Sequence, residues 1–317
     1  MKTDATQKPV RLRTATQRKW YNIWRHREFY MFILPAFVLM LLFQYYPMYG
    51  VTLAFKDLKM GQTLAEGKWV GLKHFKNLFA TNQFGQIIWN TVSLNFMVLL
   101  MGIPVPLTLA LVMHNSPSKR LKAWTQTTTY LPYMVSMVVV VSLLNTFFSN
   151  SYGLINVIRA NNGLEPIKFF EETEWFMPMY LISAVWQSAG YSAIVYLASL
   201  ASIDQPVIEA ATIDGATKLQ RMWHIDLKLI LSTVITMFLL NIGKIMGLSI
   251  MEKVWMMQNP ANLEVSETIA TYVYKMGMEN LQYGFSTAVN LFNTGCNLLI
   301  LFISNTVTKK LTGQGLL

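Results

Sequence analysis

Residues 209–227 read EAATIDGATKLQRMWHIDL, and long apolar runs lie on both sides of them. The backbone dipole favours a carboxylate such as Glu209 near a helix start. Gly215 is expected to end or bend the helix, because glycine costs about 1 kcal/mol relative to alanine in a helix interior. A narrow face that could lie close to a protein surface is formed by Ile208, Ala211 and Ala216. The stretch therefore predicts a short helix, a glycine break and a second short helix that another protein grips.

The composition of the whole chain favours a membrane protein. Of its 317 residues, 53% are hydrophobic and only 13% are charged, whereas soluble domains carry roughly 25% charged residues. A soluble protein of this length would need more polar surface than these residues supply. The composition therefore predicts a polytopic membrane protein.

Six apolar stretches are long enough to cross a bilayer, which takes about 20 helical residues. They are residues 29–49, 87–113, 130–148, 176–201, 229–250 and 284–307. The first is too long for a signal-peptide core and no small-residue cleavage site follows it, so it is predicted to be retained. Pro35, Pro104 and Pro106 are expected to kink helices at helix contacts rather than to form loops. The predicted fold class is all-α, with six transmembrane helices.

This layout divides the chain into three parts. Residues 1–28 form a basic N-terminal tail, residues 29–307 form the transmembrane domain, and residues 308–317 form a C-terminal tail. A basic tail could also bind nucleic acid. Because it directly precedes an apolar run of membrane length, we interpret it as a signal that fixes topology, and no nucleic-acid partner is predicted.

The positions of basic residues predict the orientation, since cytoplasmic loops carry the excess of Lys and Arg. Six spans place both termini on the same side as residues 114–129 and 202–228. That side holds sixteen of the 26 Lys and Arg residues and six of the 16 acidic residues, so the whole formal net charge of +10 falls there. Both termini and the 202–228 loop are therefore predicted to be cytoplasmic.

The sequence lacks the residue patterns of disulfide frameworks, metal sites and ATP-binding sites. Cys296 is the single cysteine, so neither a disulfide framework nor a thiolate metal cluster is expected. The four histidines are scattered and show no metal-ligand spacing. No Gly-x-x-x-x-Gly-Lys-Ser/Thr phosphate loop occurs, so ATP would have to be bound by another chain. No catalytic residue, cofactor or metal is predicted here.

The order Glu-Ala-Ala, three residues, Gly, nine residues, Ile-x-Leu resembles the cytoplasmic loop of permease subunits of binding-protein-dependent ABC importers. That family's pattern usually ends in Leu-Pro, whereas Lys228 follows Leu227 here. The carbohydrate-uptake branch, which is related to maltose permease and includes permeases for alginate-type or pectin-type oligosaccharides, is the most similar. Short segments that resemble this branch are YLP at 130–132, WF at 175–176, YLASL at 196–200 and TYVY at 271–274.

This resemblance implies the type I importer permease fold and a division of labour among subunits. In such systems two related permeases in the bacterial cytoplasmic (inner) membrane work with two subunits that hold ATP and Mg. An extracytoplasmic solute-binding protein delivers the oligosaccharide to the outer loops. The resemblance therefore implies that this chain is a non-catalytic permease subunit that imports oligosaccharides, with acidic sugars among the candidates.

The 202–228 loop has two interpretations. It could be an ordinary polar connector between spans. The functional interpretation is a coupling helix that seats in a groove of the ATP-binding subunit and moves with it as a rigid body, with Glu209 paired to an Arg or Lys of that subunit. The contacts predicted for this role are Glu209, Ala210, Ala211, Asp214 and Gly215.

Polar side chains inside the predicted spans are candidates for a sugar pathway, since a sugar needs hydrogen bonds from groups such as amides. The candidates are Gln187, Asn241, Lys244, Asn290, Asn293 and Asn297. Residues three or four apart share a helix face, so the last two spans would each present a polar stripe. Each side chain could instead make a helix–helix hydrogen bond, worth about 0.6 kcal/mol on average. That packing interpretation is preferred for Asn90 and Asn95, and both interpretations stay open for the stripes.

The most specific hypothesis about the pathway concerns Lys244. A lysine at mid-span costs about 2.5–3.5 kcal/mol on insertion scales. Because Lys244 lies late in its apolar run, its ammonium could extend to the outer membrane surface. The functional alternative is that it faces the cavity and attracts an acidic sugar such as a uronate.

A self-sufficient secondary transporter or channel for a small polar solute is the alternative from another class. Such proteins usually carry ionisable residues at mid-membrane or paired repeats with broken helices. No Asp or Glu falls in the centre of a predicted span, which argues against proton coupling. An intramembrane enzyme is a third option, but the spans lack the His or carboxylate pair that acid–base catalysis uses.

Overall fold

The computed structural model describes residues 21, 24–58, 61–247, 250–313 and 315. The predicted N-terminal tail, residues 1–28, therefore lies mostly outside the described residues. The chain divides into two compact units, Met1–Thr52 and Leu53–Leu317, and the second is called the body below. The α-helices, numbered in chain order, are α1 (Arg27–Met40), α2 (Lys73–Phe79), α3 (Phe84–Gly102), α4 (Pro104–His114), α5 (Lys119–Tyr130), α6 (Met137–Phe148), α7 (Leu154–Asn161), α8 (Thr173–Ala201), α9 (Gln205–Ile213), α10 (Lys218–Arg221), α11 (Leu227–Leu229), α12 (Leu231–Ile242), α13 (Met251–Met257), α14 (Leu263–Ser266), α15 (Ile269–Tyr274) and α16 (Tyr283–Thr312).

Helix α1 begins a continuous apolar segment. It passes into a π turn at Leu41–Tyr45 and a 3-10 segment at Tyr46–Phe55. Pro35 lies inside α1 without ending it, and none of the helix is buried. A helix that is apolar on all sides is typical of a membrane span.

Four segments of the described chain are long and apolar enough to cross a membrane without a sharp bend. They are Arg27–Phe55, Phe84–His114, Thr173–Ala201 and Tyr283–Lys310, and each contains one of the predicted spans. The second consists of α3 and α4, which meet at Ile103. The break precedes Pro104, which cannot donate a helical hydrogen bond, so this proline interrupts the helix without forming a loop, as predicted.

The predicted span 130–148 is sharply bent. Helix α5 and the 3-10 turn at Leu131–Met134 meet α6 at 99°. Ser136 accepts a hydrogen bond from the Val139 N–H and caps α6, so the sequence encodes a new helix start at the bend. Helix α6 has only 12 residues, or about 18 Å.

The predicted span 229–250 is broken as well. The segment Lys218–Leu229 meets α12 at 63°. Helix α12 ends at Ile242 rather than at residue 250, because the chain turns at Gly243. The described chain has six spans if each bent pair counts as one.

Buried apolar side chains of the body form clusters at opposite ends of the long helices. Helices α4 and α8 both end beside the 202–228 loop, so residues near those ends are on the loop side. The loop-side cluster comprises Ala110, Leu111, Met113, Ala193, Tyr196, Leu197, Leu200 and Ile230. The distal cluster, toward the other ends, comprises Leu94, Val141, Phe169, Phe176, Met179, Tyr180, Ile250, Val254 and Met257. A third cluster joins α3, α15 and α16 around Ile87, Tyr272, Phe285 and Val289.

Two glycines permit close packing in the body. A Cβ at Gly190 would collide with the Thr129 carbonyl group, and one at Gly284 would lie 2.6 Å from Lys56 O. Small residues of this kind let membrane helices approach closely.

Lys56 also belongs to a short antiparallel β ribbon, in which Lys56–Asp57 pairs with Lys68–Trp69. This ribbon is the one β structure among the described residues.

Candidate functional site

Residues 202–228 form short helices on both sides of a tight turn, as the sequence predicts. Helix α9 ends in a Schellman motif. The Ala216 N–H bonds Ala211 O at 3.0 Å, and the Gly215 N–H bonds Thr212 O at 3.1 Å. Gly215 has a φ of +78°, which glycine adopts without the steric cost that other residues pay.

A capping box starts the second helix. The Thr217 side chain accepts from the Gln220 N–H, and the Gln220 side chain accepts from the Thr217 N–H. Two backbone donors at the start of α10 are thereby satisfied. The chain then passes through a π turn at Met222–Asp226 into α11. The two short helices of the loop therefore have hydrogen-bonded, defined ends.

The predicted coupling residues divide between the two sides of α9. Glu209, Ala210, Asp214 and Gly215 are exposed. Ala211 is buried and Ile208 and Ala216 are partly buried, so the narrow face packs against this chain rather than facing outward. The side that a partner can reach is the one with Glu209 and Asp214.

The loop also exposes large apolar side chains that the sequence analysis missed. Ile213 is 86% exposed, and Val207, Leu219 and Trp223 are exposed as well. Apolar side chains grouped on a polar surface mark protein interaction sites. Their apolar character within a predicted polar loop was the available signal. Together with the carboxylates, they make this loop a candidate docking surface.

A buried polar network ties the loop to the end of α4. Asp226 in the π turn is fully buried and accepts a hydrogen bond from Asn115 Nδ2 at 2.8 Å. Arg221 donates to Asn115 Oδ1, and its Nε lies 4.0 Å from Asp226 Oδ2. Asn115 directly follows α4. The network therefore links the loop to the span Phe84–His114.

A cavity of about 240 Å³ is lined by residues of α3, α8, α12 and the segment that follows α12. We call it the central cavity. Its polar lining residues are Asn95, Ser188, Ser192, Tyr196, Asn241 and Lys244. Among the described residues no Asp or Glu lines it. Tyr196 belongs to the loop-side cluster and Ile250 to the distal cluster, so the cavity lies between the two.

The central cavity contains two of the six predicted pathway residues, Asn241 and Lys244. Lys244 follows the end of α12 and its N–H bonds Asn241 O at 3.0 Å. It is exposed and lines the cavity, and its contact with a sugar stays a prediction. Asn95, which the sequence analysis assigned to packing, also lines the cavity, although its Nδ2 donates to Thr91 O of its own helix.

The other four predicted pathway residues lie outside the central cavity. Gln187 donates to Val135 O at the bend before α6, and Asn297 Oδ1 accepts from the Met246 N–H. Both therefore stabilise irregular backbone. Asn293 is buried and Asn290 is exposed on α16. Asn90 donates to Glu264 O and Glu267 O, which confirms its packing role.

Lys253 on α13 is a buried amine that the sequence analysis did not single out. It is 2% exposed, and its Nζ has no hydrogen-bond partner among the described residues. Nζ lies 5.2 Å from the centre of the Tyr180 ring. Burial lowers the pKa of Lys253 to about 8, because an apolar environment disfavours the charged form.

Comparison with protein families gives one match over most of the chain. Residues 102–313 match the model of the family described as "Binding-protein-dependent transport system inner membrane component". The match covers α8 and α12 of the helices around the central cavity and the whole 202–228 loop.

Two curated proteins of Bacillus subtilis strain 168 are similar over nearly the full length. The polygalacturonan/rhamnogalacturonan transport system permease protein YteP is 36% identical, with 100% of both chains covered. Protein LplB is 37% identical over 92% of this chain and 92% of its own.

A solved structure has the same fold. It is the crystal structure of a bacterial alginate ABC transporter in complex with an alginate pentasaccharide-bound periplasmic protein. One of its chains superposes with a TM-score of 0.85 and 34% sequence identity, over 94% of this chain and 100% of that chain.

Proposed function

Because this chain belongs to the family of inner membrane components of binding-protein-dependent transport systems, we propose that it forms one half of an oligosaccharide pathway through the bacterial cytoplasmic membrane. The chain is a multi-pass permease subunit of the ABC transporter type. The observation that carries the proposal is the central cavity, which offers amide, hydroxyl and ammonium groups between two apolar clusters.

The lining of this cavity suits a sugar and favours an acidic one. Hydroxyl and amide groups can exchange hydrogen bonds with sugar hydroxyls. Lys244 adds a positive charge, and none of the described lining residues is acidic. YteP is described as a polygalacturonan/rhamnogalacturonan permease and the superposed structure as an alginate transporter. We propose acidic oligosaccharides as the substrate class.

The energy source lies in another subunit, according to this proposal. The 202–228 loop docks on an ATP-binding subunit through Glu209, Ala210, Asp214 and Gly215, with Ala211 beneath them. Exposed Ile213, Leu219 and Trp223 supply apolar contacts. The Asp226 network then carries the motion of the loop to the span Phe84–His114. Both termini and the loop face the cytoplasm.

The complete machine contains a second permease, two ATP-binding subunits that hold ATP and Mg, and an extracytoplasmic solute-binding protein. The superposed transporter carries a periplasmic protein with bound alginate pentasaccharide, which supports the last of these. A self-sufficient secondary transporter is not favoured, because the family consists of components of binding-protein-dependent systems.

Reconstitution tests the proposal. The complex is assembled in proteoliposomes with its binding protein, and uptake of labelled oligogalacturonides and neutral oligosaccharides is measured with and without ATP. We expect ATP-dependent uptake that requires the binding protein. Uptake by this chain alone, without ATP or partners, would contradict the proposal.

A further inference from the structure

We propose that Lys253 is a specificity-determining residue of transport, whose ammonium group meets a substrate carboxylate when the distal cluster opens. The inference rests on the proposed function and adds a second basic residue to the pathway. Lys253 lies outside the central cavity, so the cavity lining alone does not reveal it.

Lys253 lies beside the distal cluster, because its Nζ is 5.2 Å from the centre of the ring of Tyr180, a member of that cluster. Its helix, α13, begins at Met251, directly after Ile250, which lines the cavity and belongs to the distal cluster. Val254, next to Lys253, is a fully buried member of that cluster. In this proposal, a solute that enters the cavity from the distal end separates these side chains. Lys253 is then uncovered beside its route.

The surroundings of Lys253 do not satisfy its charge. Among the described residues, no carboxylate lies within ion-pair distance of Lys253, and its Nζ has no hydrogen-bond partner. The Tyr180 ring at 5.2 Å offers a cation–π contact, which compensates only part of the lost hydration of an ammonium. Methionine fills a similar apolar space without this cost. Packing alone therefore does not explain a lysine at this position.

An acidic oligosaccharide supplies the missing partner. As the cluster opens, the ammonium can form a charge-assisted hydrogen bond with a carboxylate, which is stronger than a bond between neutral groups. Lys244 in the cavity then presents a second positive group further along. A neutral sugar gains only ordinary hydrogen bonds at both places, so Lys253 discriminates by charge before the solute reaches the cavity.

The test compares two matched substrates in the reconstituted complex. The probes are trigalacturonate and the same trimer with its carboxyl groups reduced to primary alcohols. Uptake of each is measured for the wild type, Lys253→Met, Lys253→Gln and Lys253→Arg. Lys168→Met is the control, because Lys168 is an exposed residue paired with Glu171 at the surface.

We expect Lys253→Met and Lys253→Gln to lower the ratio of acidic to reduced trimer uptake by about tenfold, the effect of losing one charge-assisted hydrogen bond. Lys253→Arg keeps most of the ratio, and Lys168→Met leaves it unchanged. An unchanged ratio in both neutral variants overturns the inference, and so does an equal loss of both substrates, which indicates a structural role. If the wild type takes up neither trimer, the proposed function fails first and the inference fails with it.

Discussion

The 202–228 loop and the central cavity are built in opposite ways. The loop is local: its Schellman motif and capping box join residues no more than five positions apart. The cavity brings together residues that lie far apart in the chain, including Asn95, Ser188 and Lys244. The loop meets its proposed partner through exposed side chains of one short segment, whereas the cavity is lined by side chains from α3, α8 and the end of α12. A substitution in the loop should therefore affect coupling for every substrate, and one in the cavity should affect substrates selectively.

The largest expected loss of stability and transport comes from a substitution in the Asp226 network, which links the loop to the span Phe84–His114. Arg221→Gln removes the cation closest to Asp226, which is fully buried. Leaving a buried carboxylate without its partner costs about 3 kcal/mol or more. We expect a lower melting temperature of the purified complex and less transport of all substrates.

The double variant Arg221→Gln, Asp226→Asn tests whether the loss of stability comes from the unpaired charge of Asp226 or from altered packing. It removes the uncompensated carboxylate, so more than half of the lost stability should return. A double variant that is less stable than the single one would show that the network does not act through charge.

Ile213 tests the docking surface of the loop. It is 86% exposed, so Ile213→Asp should leave the fold of this chain intact while it removes an apolar contact to the ATP-binding subunit. Interface anchors contribute about 2 kcal/mol or more. We expect roughly a 30-fold weaker association of the ATP-binding subunit, measured by titration against the permease pair.

A matched control comes from the surface of a span. Ile182 on α8 is also largely exposed but lies away from the loop, and Ile182→Ala is compared with Ile213→Ala. Equal affinity of the ATP-binding subunit for these two variants would show that Ile213 does not belong to the interface.

A substitution at Lys244 tests whether the central cavity selects among substrates. Lys244→Gln keeps a polar side chain in the central cavity but removes its charge. Uptake of an acidic oligosaccharide should fall about tenfold, as expected for one lost charge-assisted hydrogen bond, while uptake of a neutral analogue should change little. If the variant takes up each substrate as well as the wild type does, Lys244 has no part in recognition.

The smallest expected effect is at the turn of the loop. Gly215→Ala places a Cβ on a residue with a φ of +78°, which costs about 1 kcal/mol. Nothing lies within 4 Å of the added Cβ, so the cost is conformational. Slightly lower coupling, measured as transport per ATP hydrolysed, is expected without a change in substrate preference. A changed preference would mean that the loop and the cavity are not separate in function.

The loop was predictable because its signals are local. Glu209, Gly215 and their spacing indicate the helix, the turn and the family. What the sequence could not give was which side of α9 faces outward, since Ala211 and the exposed Ile213 are both apolar. Burial depends on contacts with distant segments.

The pathway was harder to predict for the same reason. The spacing of Asn290, Asn293 and Asn297 indicates a shared face of α16, but not whether that face borders a cavity. Asn297 instead supports the irregular backbone at Met246, and this backbone exists because α12 ends at Gly243. Apolar composition predicted the spans 130–148 and 229–250 but not their bends, which arise from capping and from tertiary packing.

Cysteine labelling at Glu209 tests the central claim most directly. Cys296 is the only cysteine, so Glu209→Cys in a Cys296→Ser background provides one exposed thiol on α9. We expect a membrane-impermeant thiol reagent to label it only from the cytoplasmic side, and a short crosslinker to join it to the ATP-binding subunit in the assembled complex. Labelling from the outside of intact cells, or no crosslink to a nucleotide-hydrolysing subunit, would contradict the account.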